Sequence, residues 1–228
     1  MAIDIFADKS QSAETRSQCY SFLSYVHTPL PGSGFITKIM DNSSYRIFRS
    51  STSGVTVLPD KKKDLEQGLT MVENFLIQAR DVAEDDVIQS LAVERARLFR
   101  GINRDCGPPP PYGSVYIEGD SVMNASTLQV RKVYESFDYN LPGDCSELPD
   151  YISVELDFMR HLCNEEATAW TEENENRAQD CLTGETEFLC GHLREWAPRF
   201  CDEVIRCADQ DFYQAMAVSR KTEEAKNG

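Results

Sequence analysis

Four consecutive prolines, Pro108 to Pro111, stand between stretches of helical periodicity, and no other feature restricts the fold of this chain as much. Proline fixes φ at about −65° and removes a backbone N–H, so the run cannot continue a helix and reads as a rigid, extended connector. The surrounding segment, CGPPPPYGSVYIEGDSV at 106–122, also carries Gly113, which relieves the backbone between Pro111 and Ser114. The expected organisation is one domain spanning 1–228. It has an N-terminal lobe to about residue 104, a hinge at 105–122, a C-terminal lobe at 123–218 and a frayed tail at 219–228.

The flanks give the fold class. Cys19, Phe22, Leu23 and Val26 recur at the i, i+3, i+4, i+7 spacing of one helical face, and HTPLPGSG stops that helix. Leu65, Leu69, Val72 and Leu76 form a second stripe; Ile88, Leu91, Ala92, Arg95, Leu98 and Phe99 form a third, closed by Gly101 as a C-cap. Val130, Val133, Tyr134 and Phe137 mark a short helix. ELPDYISVELDFMRHL opens another, with Pro149 in its first turn and a continuation through Trp170 into the polar TEENENRAQD. TEFLCGHLREWAPRF is helical, and Pro198 either breaks it or begins the next helix. The strand-like stretches are YRIF and GVTVL, short and without an evident pairing partner, so the expected fold is all-α.

Charge narrows the partners. Asp and Glu number 38 against 23 Lys and Arg, a formal charge of −15, which repels a nucleic-acid backbone and suits a cationic partner. The N-terminal stretch lacks a basic region followed by an apolar one, and no run of about 18 apolar residues provides a membrane span, so a cytoplasmic protein is expected. The eight cysteines include no C-x-x-C pair and read as free thiols packed as small hydrophobes.

Familiar catalytic patterns are missing. Neither G-x-x-x-x-G-K-[ST] nor G-x-G-x-x-G occurs, and GSG at 32–34 is an isolated fragment. None of His27, His161 and His192 follows a glutamate by three residues, as a di-metal bundle requires. Asp157 with His161 reads as a surface pair. YGSVY lacks the second glycine of a nucleophile elbow. No catalytic residue, metal ligand or cofactor is assigned.

Five segments in order, VERARLFRG, the proline-rich loop, PPYGSVY, ELPDYI opening SVELDFMRHL, and FLCGHLREWAPRF, resemble the TorD/DmsD/NarJ family of redox-enzyme maturation chaperones. Arg16, Tyr20 and Leu23 fit the same family's N-terminal pattern. The resemblance implies an all-helical, non-enzymatic cytosolic chaperone. Such a protein binds the twin-arginine signal peptide of a molybdenum-cofactor oxidoreductase and delays its export until cofactor insertion. The implied partner is the apo form of a dimethyl-sulfoxide-reductase-type molybdoenzyme. The other reading is a carrier or enzyme that binds a nucleotide or molybdopterin at the same hinge. Monomer and domain-swapped homodimer both suit a proline-hinged chain.

The signal-peptide-binding residues implied are Tyr112, Gly113, Ser114, Tyr116, Glu147, Pro149, Asp150, Tyr151 and Ile152. The family's signature has histidine where this chain has Tyr151, which donates a hydrogen bond but does not titrate near neutrality. Glu118, Asp120, Glu147 and Asp150 supply acid for a basic peptide region, and Val115 and Leu148 add apolar contact. Asp150 also suits the positive end of a helix dipole. On this reading Asp150→Ala weakens binding with little loss of stability, and Trp196 and Phe188 belong to the core.

Overall fold

The computed structural model describes residues 5–28, 59–99, 107–119, 122–141, 143 and 145–223, with isolated residues at 39, 46, 49 and 50. Its helices are α1 (Ile5–His27), α2 (Pro59–Ala79), α3 (Glu84–Phe99), α4 (Gly113–Glu118), α5 (Ala125–Ser136), α6 (Ile152–Thr171), α7 (Glu175–Phe188), a π turn (Leu189–Leu193), α8 (Arg194–Cys207) and α9 (Asp211–Glu223). The described residues contain no strand, only an isolated bridge between Tyr112 and Tyr151, and the protein is all-α. YRIF (apart from Arg46), GVTVL and Gly101 lie outside the described residues.

The chain divides into two compact units, one of Met1–His27 with Tyr112–Leu193, the other of Thr28–Pro111 with Arg194–Gly228. Each unit is discontinuous in sequence, where consecutive lobes were expected. In the first unit α1 packs along α6. Ser10 and Ser24 of α1 donate to the carbonyls of Ala167 and Ser153 at 3.1 and 2.9 Å, and Ser17, 3.4 Å from the Arg160 carbonyl, lies closer, at 2.5 Å, to the Asn164 side-chain oxygen. Each step of seven along α1 is matched by a step of seven back along α6, an antiparallel heptad register. Small serines let the backbones approach, and each carbonyl uses its second lone pair without giving up its helical bond. Ala13, Phe22, Leu23 and Val26 are buried beside this ladder. Periodicity identified the buried face of α1; it carried no information about which helix that face meets.

The rest of this unit's core is aromatic. Phe158 of α6 lies 4.5 Å from the ring of Tyr134, 5.4 Å from Tyr139 and 5.0 Å from Phe188. Such tilted and edge-to-face pairs add to the burial energy of the rings themselves.

The second unit packs α2 and α8 against α9. Phe75 meets Phe212 at 5.1 Å, and Phe99 meets Phe200 and Tyr213 at 5.7 and 5.3 Å. The buried Glu94 accepts from the backbone N–H groups of Asp209 and Gln210 at the start of α9, and from Arg97. Trp196 is fully buried here and Phe188 is buried in the first unit, as expected.

Three local expectations change. Pro149 lies in a turn before α6, whose N-cap is Tyr151, so the proline precedes the first helical turn. Helix α6 does not run on into TEENENRAQD: it stops at Thr171, and α7 restarts at Glu175 with the Asn174 side chain accepting from Arg177 N–H. Pro198 does not break its helix. It sits inside α8, one turn after the π segment has already loosened the i→i+4 ladder.

Candidate functional site

Pro108–Pro110 carry no regular secondary structure, and Gly113–Glu118 folds into helix α4. Glycine at the first helical position and the absence of proline beyond residue 111 permit this turn of helix, which the proline run obscured in the sequence. Gly119 ends it at φ 99°, a conformation open to glycine.

Helix α4 needs acceptors for its first N–H groups, and the loop before α6 supplies them. The backbone N–H of Gly113 donates to the Asp150 carbonyl at 2.8 Å, and that of Ser114 to Asp150 Oδ2 at 2.9 Å. Tyr112 and Tyr151 form the isolated antiparallel bridge, with their rings edge to face at 5.1 Å. The Tyr112 hydroxyl donates to Glu147 Oε2 at 2.7 Å. Behind the loop, the buried Tyr134 hydroxyl donates to the Pro149 carbonyl at 2.8 Å. Asn124 caps α5 through Ser126 and Thr127 and donates to the Ser114 carbonyl.

The two segments singled out in the sequence, Tyr112–Tyr116 and Glu147–Ile152, are therefore held together. Their residues fall into two groups. Gly113, Ser114, Tyr116, Asp150, Tyr151 and Ile152 are buried, Asp150 and Ser114 completely. Tyr112, Glu147, Leu148, Pro149 and Val115 are partly exposed, and Glu118 is exposed, where it accepts from Ser126 N–H. Asp120 lies outside the described residues. Asp150 is thus an internal fastener that caps α4, and Tyr112 with Glu147 forms the accessible polar pair.

Burial, and then the hydrogen bond to Glu147, raises the Tyr112 phenol above its ordinary range, so it remains a donor at any physiological pH. Two atoms under this surface have no partner among the described residues, Ser114 Oγ and Asp150 Oδ1. Buried acceptors and hydroxyls in this condition take a water or an incoming donor.

Sequence reasoning missed three contributors. Tyr134 reads in the sequence only as a helix-face residue, yet its hydroxyl holds the second loop. Asn124 carries a signal that was available, since asparagine before a helix is a preferred cap. The third is Glu155, fully buried in the first turn of α6, whose Oε1 lies 2.6 Å from His192 Nε2 in the π turn; no local pattern announces a pair 37 residues apart. Elsewhere, His161 contacts the Phe137 carbonyl, and Asp157 pairs with Arg160 and Tyr139. Among the described residues, no three His, Cys, Asp or Glu side chains gather as a metal site, and no helix is long and apolar enough to cross a membrane.

Comparison with known proteins places this architecture. The profile of the family described as nitrate reductase delta subunit matches residues 59–202, and the chain belongs to that family. Among individual relatives, the chaperone protein TorD of Vibrio cholerae serotype O1 is 26% identical over 154 residues, 67% of this chain and 68% of its own. The Tat proofreading chaperone DmsD of Salmonella typhi is 32% identical over 129 residues, 56% of this chain and 55% of its own. A redox enzyme maturation protein from Archaeoglobus fulgidus superposes with a TM-score of 0.48 at 23% identity, over 91% of this chain and 93% of its own.

Proposed function

We propose that this protein is a cytoplasmic maturation chaperone for a redox enzyme, without catalytic activity of its own. It binds the twin-arginine signal peptide of an apo molybdoenzyme of the dimethyl-sulfoxide-reductase superfamily and delays export until the cofactor is in place. The observation that carries this reading is the fastening of the two loops into one surface. The accessible pair Tyr112 and Glu147 lies over a rigid, buried base made by Asp150, Ser114 and Tyr151. The names of the TorD and DmsD relatives support the same assignment.

A signal peptide offers a basic region followed by an apolar one. Glu147 orients the basic part, Leu148, Pro149 and Val115 contact the apolar part, and Tyr112 serves both. An exposed ion pair contributes about 0.2–1 kcal/mol, whereas burying one large apolar side chain contributes about 1.5–3 kcal/mol, so apolar contact supplies affinity and Glu147 supplies choice. Calorimetry of the full chain with candidate twin-arginine signal peptides tests the proposal. Binding to at least one, weakened severalfold by Tyr112→Ala and by Glu147→Gln with only a small loss of thermal stability, is expected. If no peptide binds, or if both variants bind like the wild type, the site is elsewhere. The working form is a monomer or a domain-swapped homodimer, with α1 the element whose pairing along α6 an exchange would preserve.

A further inference from the structure

Helix α6 begins at the Tyr151 loop and ends, 20 residues or about 30 Å later, at a second feature. A cavity of about 290 Å³ opens there between the first turns of α1 and the end of α6. Its walls include Phe6 and Trp170, with rings 6.0 Å apart, and the acids Glu14 and Glu173, both exposed. That volume lies at the lower end of the range of small-molecule pockets and is large enough for one long side chain.

The end of α6 is built against its own stability. Asn174 N–H bonds to the Ala169 carbonyl at 2.8 Å and Glu173 N–H to the Trp170 carbonyl at 3.2 Å, the two bonds of a Schellman motif. Its left-handed position is ordinarily glycine, but here it is Glu173, at φ 56°. A non-glycine residue in that region is strained, and a carboxylate at a helix C-terminus faces the negative end of the dipole. Glu172 adds a second negative charge at the same place. Met123 and Asp138 share this conformation, so the backbone alone points to no ligand; the cavity that Glu173 lines favours a cation on three counts: two carboxylates, a helix C-terminus and an indole. The indole already holds one, since Lys9 Nζ, from outside the cavity lining, lies 4.0 Å from the Trp170 ring centroid.

We propose that this cavity is a receptor for a single cationic side chain of a partner polypeptide, preferably an arginine. It is separate from the Tyr112–Glu147 surface, and the proposal does not depend on what binds there. The guanidinium pairs with the exposed Glu173 and Glu14 and lies against Phe6 and the accessible edge of Trp170, whose face Lys9 covers, while its alkyl stem fills the cavity. If the other surface does hold a peptide, about nine extended residues span the distance between the two sites.

The test uses the full chain and a blocked tripeptide, acetyl-Gly-Arg-Gly-amide, with its uncharged citrulline analogue. Two tryptophans give two indole N–H signals in proton–nitrogen spectra. Trp170 reports the cavity, and Trp196, fully buried in the other unit, is the reference. The arginine peptide is expected to shift the Trp170 signal saturably while the citrulline peptide does not. Glu14→Gln with Glu173→Gln should weaken that response at least fivefold, and Lys9→Ala, by removing a like charge, should tighten it. Glu173→Gly should raise the melting temperature by about 2–4 °C while weakening the arginine peptide at least threefold. Tyr112→Ala should leave arginine binding unchanged, so failure at one site is distinguishable from failure at the other. An unmoved Trp170 signal, an equal response to citrulline, or a Glu173→Gly variant of unchanged affinity would overturn the proposal.

Discussion

The two ends of α6 treat acidic residues in opposite ways. Before its first turn, Asp150 is fully buried and its carboxylate caps another helix, so the acid is spent on holding two loops together. After its last turn, Glu172 and Glu173 stand exposed at the unfavourable end of the dipole, one of them in a left-handed backbone conformation. An acid beside a helix end is therefore not one kind of feature. At the first end it contributes to the fold, and at the second it costs the fold something and leaves negative charge facing a cavity.

The largest effect expected on that contrast comes from the first end. Asp150→Ala removes a charged acceptor and strands the Ser114 N–H, and urea titration should show a loss of about 2 kcal/mol. Asp150→Asn keeps an acceptor of the same shape and should lose less than half as much. Equal losses from the two would mean that the cap is not what Asp150 provides. This replaces the expectation of a surface aspartate whose removal spares stability.

Between the two ends, Arg16 of α1 pairs with both Glu166 and Glu185, and the Trp170 indole donates to Glu166 at 2.8 Å. One guanidinium serves two buried carboxylates. Burial pushes Glu185 up to about 7 against the pull of Arg16, with Glu166 adding a like charge. Native Glu185 thus holds its proton more tightly than the unfolded chain does. Its contribution favours the fold most at the acid side of the usual carboxylate range and fades as pH rises through about 7. Glu185→Gln should flatten the dependence of unfolding free energy on pH between about 5 and 8. An unchanged slope would assign the proton elsewhere.

The smallest effect sharpens the division between fastener and contact. Tyr112→Phe loses one hydrogen bond at a partly exposed position and should cost no more than about 1 kcal/mol in stability. It should still weaken signal-peptide binding measurably in the same calorimetric series. A stability loss as large as that of Asp150→Ala would place Tyr112 among the internal residues.

Much of this architecture is legible in the sequence, for physical reasons. Apolar residues at helical spacing mark α1, α3 and α5 because burial of one face is what keeps an isolated helix in place. The meeting of Tyr112 with Tyr151 is implied by the family resemblance and by no periodicity or spacing of the residues themselves. What escaped was long-range or local against the trend. Helix α4 follows four prolines, so its six residues looked like more connector. Asp150 reads in the sequence as an acid for a peptide or for the positive end of a helix dipole, and only the distant Ser114 N–H shows that it caps another helix from a buried position. The turn at Glu172–Asn174 lacked its usual glycine, so α6 seemed to continue. The free-thiol reading holds in part: Cys19, Cys163, Cys181 and Cys201 are buried, while Cys145 and Cys207 are half-buried and Cys190 is exposed.

The serine ladder of α1 has a consequence for how this pairing tolerates change. Ser10, Ser17 and Ser24 address carbonyl oxygens, which every residue of α6 possesses whatever its side chain. Part of the recognition is therefore independent of the α6 side chains, and part is not: Ser17 also donates to Asn164 Oδ1 and Ser10 meets Thr171 Oγ1, and Ser153 and Ala167 are themselves buried. On α1, replacing a serine by a larger residue removes the donor and widens the gap together. Mutational latitude should be uneven along this helix pair, broad at the partly exposed Arg160 and narrow at the three serines of α1 and at the buried Ser153 and Ala167 of α6.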